Sequence, residues 1–122
     1  MLLKRVMLTL VIYFGVPIAG AAEASPWLVG TWQKTMDEDE SPADVMKFNE
    51  DGTWIAYGPE CQEKLYEYFI HNGDVFLVIP IEKGPVSLVF RPSSDKSKLK
   101  FTSPRTMNSA IYEKVENPLC GR

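Results

Sequence analysis

Histidine and cysteine are scarce in this chain, with one of the first and two of the second in 122 residues. The scarcity removes whole classes of chemistry. His71 alone cannot furnish a transition-metal centre, and no Cys/His cluster or C-x-x-C is present to supply the missing ligands. A Ser–His–Asp arrangement needs a nucleophile elbow or its equivalent, and there is no Gly-x-Ser-x-Gly. A continuous basic tract is also lacking, which leaves no means of neutralising phosphates and argues against a nucleic-acid partner. Asn49, Asn72, Asn108 and Asn117 all lack the Ser or Thr of a glycosylation acceptor, in keeping with a bacterial export route.

What is present begins with a leader. Lys4 and Arg5 precede an uncharged apolar run, "VMLTLVIYFGVPIAG", and then "AGAAEAS" with Ala19 and Ala21 as the small residues a signal peptidase reads. The expectation is a secretory signal peptide over residues 1–22, cut after Ala21 or Ala22, with a single domain over 23–122 that is exported to the periplasm or secreted. Gly15, Pro17 and Gly20 interrupt the run, so it is a poor membrane anchor, and no span is expected after cleavage.

Charge is divided unevenly. Residues 23–82 hold 13 acids against 3 bases, and residues 83–122 hold 3 acids against 8 bases. The two cysteines have one intramolecular pairing open to them, and in an exported chain that predicts a Cys61–Cys120 disulfide. It would tie the C-terminal tail to the middle of the domain.

The mature chain reads as short alternating runs bounded by turn residues. Strands are predicted around Leu28–Lys34, in "VMKFN", "TWIAYG", "KLYEYFI", "DVFLVIPI", "VSLVF", "KLKF" and "SAIYEKV". Gly52 in "EDGT" and the pair Asn72-Gly73 mark hairpin turns, the latter of type I′. "TMDEDESPAD" reads as a charged loop, at most with a helical turn begun at Ser41-Pro42. About eight antiparallel strands predict an all-β fold, a small up-and-down barrel or alternatively a small β-sandwich.

Chemistry has few footholds. The acidic run Asp37, Glu38, Asp39, Glu40 fails as an EF-hand, because Pro42 and Phe48 stand where Gly and Glu are required. It reads as a solvated loop or as a docking surface for a basic protein. Carboxylate pairs for hydrolysis are open among 16 acids, but none is marked by spacing, so no catalytic residue, metal or cofactor is expected. The aromatics stand out instead. Most should pack a core. A subset, Trp54, Tyr57, Tyr66, Tyr68 and Phe90, are candidates to line a cavity for a small apolar molecule.

The stretches "LVGTW", "MKFNEDGTWIAYG" and "YEYFIHNGDVFLVI" resemble the lipocalin-like domains of small bacterial exported proteins, over roughly Trp27 to Val115. Gly30 and Trp32 match the Gly-x-Trp that opens the lipocalin barrel, and the resemblance implies that Trp32 closes the barrel base. No Arg in the last strand covers that Trp; Lys114 is the nearest base. The expectation is a non-enzymatic exported binding domain with an aromatic-lined cavity, or alternatively an inhibitor or immunity-type protein that blocks an envelope enzyme.

Overall fold

Apolar alternation becomes eight antiparallel strands, each hydrogen-bonded to the next and the eighth closing on the first. They are β1 Gly30–Asp37, β2 Val45–Phe48, β3 Thr53–Tyr57, β4 Glu63–His71, β5 Asp74–Ile79, β6 Val86–Pro92, β7 Lys98–Thr102 and β8 Ser109–Lys114. The computed structural model describes residues 25–121, so the leader assigned to residues 1–22 lies outside the described residues. The fold is therefore an all-β, closed up-and-down barrel and not a sandwich. Closure leaves no strand edge to protect. Among the described residues the one helical element is a 3-10 turn, Pro59–Cys61.

Register follows the sequence alternation. Trp32 faces Met46, Phe48 faces Trp54, Trp54 faces Tyr66, and Tyr68 faces Leu77, all pointing inward. The turn at Asn72-Gly73 has φ of 51° and 83°, the doubly positive pair a type I′ hairpin requires. Ser41-Pro42 starts no helix. β1 runs on to Asp37, past the predicted end at Lys34, and the Ser41 hydroxyl bonds the Asp37 carboxylate instead.

The extension has a consequence for the interior. The β1–β8 register shifts between Lys34 and Met36, so that Lys34 lies opposite Tyr112 and Asp37 opposite Ala110. In a regular strand, residues three apart point to opposite faces. The bulge adds the residue that turns both Lys34 and Asp37 toward the inside.

One barrel end is packed solid. Leu28, Trp32, Phe48, Val75 and Leu99 are each at most 1% exposed there. The Trp32 indole N–H donates to the Leu28 carbonyl at 2.8 Å, Trp27 meets its ring edge-on, and the Lys114 ammonium sits 5.6 Å over its face. Gly30 makes room for that lysine, since a Cβ there would come within 3.3 Å of Lys114 Cε.

The C-terminal tail straps the outside. Cys61 and Cys120 are disulfide-bonded with Cα atoms 5.5 Å apart, as their pairing in the sequence predicted. Flanking them, Leu119 N–H donates to Gln33 and the Thr31 hydroxyl donates to the Gly121 carbonyl. Val45, paired in register with Gln33 and Tyr57, is only 3% exposed.

Candidate functional site

The end of the barrel opposite Trp32 is hollow. A cavity of about 330 Å³ lies between the inward faces of the strands and opens beneath the β1–β2 and β7–β8 loops. Its deeper wall is apolar, built from Met46, Trp54, Leu77, Leu88, Phe90 and Phe101. Its mouth is polar, where Lys34, Asp37, Ser41, Asp44 and Tyr112 come together.

The mouth is held by short, charge-assisted bonds. Lys34 Nζ lies 2.8 Å from Asp37 Oδ2 and 2.7 Å from Ser41 Oγ, and both members of the ion pair are largely shielded, at 9% and 12% side-chain exposure. The lysine and the Ser41 hydroxyl hold the Asp37 carboxyl far below the usual carboxylate range. Beside this pair the Tyr112 hydroxyl donates to Asp44 Oδ2 at 2.7 Å. Burial, then the charge of Asp44, pushes the Tyr112 phenol well above its ordinary value.

The acidic run is tied down at the surface: Glu38, Asp39 and Glu40 stay exposed, but two of the three are hydrogen-bonded to the neighbouring loop. Asp39 accepts from Thr106 at 2.9 Å and from Asn108 at 2.6 Å, and Glu38 accepts from the Ser109 backbone N–H at 2.6 Å. The β1–β2 loop is thus tied to the β7–β8 loop across the mouth. Of Asp37, Glu38, Asp39 and Glu40, only Glu40 has no side-chain partner among the described residues.

The aromatic candidates separate into three places. Trp54 and Phe90 line the cavity. Tyr66 and Tyr68 point inward but pack below or beside it, Tyr66 against Trp54 at 5.2 Å and Tyr68 against Phe48 at 5.2 Å. The Tyr68 hydroxyl is occupied by the Asn49 carbonyl at 3.0 Å. Tyr57 is not a lining residue: it stands on the outer face, where its ring would lie 3.0 Å from a Cβ at Gly121. Its strand phase, opposite to Trp54, puts it there. That phase also identifies inward residues absent from the aromatic set, including Leu77, Leu88 and Ala56.

His71 is exposed at the end of β4, edge-on to Phe76 at 6.2 Å, and far from the polar mouth in the order of the strands. Among the described residues no three His, Cys, Asp or Glu side chains gather as a metal site. Comparison with protein-family models, with curated proteins and with solved structures finds no match to this chain.

Proposed function

We propose that this is an exported, lipocalin-like, non-enzymatic binding domain that holds one small, mostly apolar molecule in the open half of its barrel. The observation that carries the reading is the cavity of about 330 Å³, apolar at depth and polar at the mouth. Such a division is what a ligand site uses, with apolar walls for affinity and a few placed polar groups for orientation. An eight-stranded barrel is wide enough either to be filled by its side chains or to hold one small ligand, and here one end does each. The Gly30-x-Trp32 plug supports the lipocalin-like assignment, with Lys114 in the covering position over the indole. The disulfide fits an oxidising compartment and with it export to the periplasm or beyond.

The docking alternative, an inhibitor or immunity-type protein, draws on the acidic run. Of that run Asp37 is neutralised by Lys34, and Glu38 and Asp39 spend carboxylate oxygens on bonds that tie the β1–β2 loop to the β7–β8 loop, so the run is less a free docking loop than the sequence suggests.

Native mass spectrometry of protein purified from its host, together with a thermal-shift screen of small apolar and aromatic compounds, tests the reading. A ligand at 100 times its Kd should stabilise the fold by about 2.7 kcal/mol. No co-purifying molecule and no shift across the screen would sink it.

A further inference from the structure

The fixed charge at the cavity mouth selects among ligands. Resting on the cavity reading above, we infer that the ligand's polar end is a cation, the head of a small amine with an apolar or aromatic body, and that anions of the same shape are turned away.

The mouth carries three carboxylates, Asp37, Asp39 and Asp44, against one ammonium, Lys34. That ammonium is already committed to Asp37 and Ser41, and its side chain is only 9% exposed. Two of its three N–H donors are taken and Asp37 already offsets its charge, so a carboxylate ligand would meet one remaining donor among three carboxylates. Asp39 and Asp44 are not neutralised in the same way. Their partners are Thr106, Asn108 and Tyr112, neutral donors that orient a carboxylate without cancelling its charge. Asp44 Oδ1 has no partner among the described residues, so one acceptor with its charge remains at the rim.

The wall below suits the body of such an amine. Trp54, Phe90 and Tyr112 line the cavity, where their rings give the apolar or aromatic body its contact. A cation at the mouth is attracted by the carboxylates that no ammonium cancels, whereas an anion there is repelled by them. The volume admits a body on the order of ten heavy atoms, taking the ~30 Å³ share of one water as a guide.

The test is a matched series at neutral pH: octylamine, octanol and octanoate, each titrated below its aggregation threshold. Calorimetry and Trp54 fluorescence report binding, with Trp54→Phe identifying the origin of the optical signal. Octylamine should bind about tenfold more tightly than octanoate, as expected of an attraction gained and a repulsion avoided at a screened carboxylate, with octanol between them. Asp44→Asn keeps an oxygen for the Tyr112 hydroxyl and so preserves the mouth. It should bring the amine and carboxylate affinities within about threefold while leaving octanol little changed. If the three bind but octanoate equals or exceeds octylamine, or if Asp44→Asn leaves the ratio intact, the cation inference falls and the cavity reading stands. If none of the three binds by either method, both fall together.

Discussion

Trp32 donates to the Leu28 carbonyl while Lys114 covers its ring, so two different bonds hang on one buried side chain. They can be taken apart. Trp32→Phe removes the indole N–H and leaves a buried carbonyl without its donor, a loss expected to destabilise the fold by about 2 kcal/mol in urea unfolding. Lys114→Met keeps the stem over the ring and removes only the charge, and should cost less than about 1 kcal/mol. Equal effects of the two changes would contradict the plug described for Trp32. Tyr112 predicts behaviour at the alkaline end. Burial and Asp44 raise its phenol above the ordinary 10.0, and burial raises Tyr57 and Tyr68 as well. A raised folded pKa means the stabilisation is complete below the unfolded value of 10.0 and is lost as pH climbs past it. Unfolding free energy should therefore decline above pH 10.0, and Tyr112→Phe should flatten that decline. The sign reverses for Asp37, Asp51 and Asp95, whose carboxyls are lowered by hydrogen bonds, with Asp95 at about 2. Their contribution is present above 3.8 and lost as pH falls below it.

At the scale of elements, the strands were legible because a half-buried strand writes its two faces into alternate positions. The face groupings in β2, β3 and β4 could be read directly, Met46 with Phe48, then Trp54 with Ala56, then Tyr66, Tyr68 and Ile70, and the structure turns each of these sets inward. Two features of the mouth could not. The bulge in β1 breaks the period between Lys34 and Met36, and a reading by alternation alone ends the strand at Lys34 and leaves Asp37 in a loop. The fate of the acidic run depends on Thr106, Asn108 and Ser109, some seventy positions away, and no local pattern reports such pairings. Tyr57 is the third case: its phase was legible, but the tail that hides it is an irregular segment without a period. The tail itself can be tested. Replacing both cysteines by serine frees a link that spans 59 positions, for which the chain-entropy model allows about 4 kcal/mol as an upper value. Gly121→Ala attacks the strap differently, because φ there is +78° and the added Cβ meets the Tyr57 ring at 3.0 Å. It should lower stability by about 1 kcal/mol with the disulfide intact, and hydrogen exchange should quicken at the Leu119 amide that donates to Gln33. Unchanged exchange at Leu119 would show the strap to be passive.

For the whole molecule, one end of a single small barrel is filled to the point of excluding solvent and the other is left open, and the two ends do different work. Packing at the Trp32 end, the strap and the closed hydrogen-bond circuit supply stability, which permits a void that a domain of this size could otherwise not sustain. If the void exists for a ligand, filling it should separate two properties that usually fall together. Ala56 lines the cavity opposite Met46 and offers the shortest route to occupying it from within. Ala56→Leu adds apolar contact inside the hollow end and should leave stability unchanged or raise it by about 0.5–1 kcal/mol, as cavity-filling changes do. The same change should weaken binding of every small ligand, irrespective of its charge, because it removes volume and not a polar contact. Leu65→Ala serves as the comparison: Leu65 is 65% exposed on the outer face, so its loss should touch neither stability nor binding appreciably. A protein that gains stability and loses binding with Ala56→Leu has a cavity kept open for use. One that gains stability while binding as before takes its ligand somewhere other than the barrel.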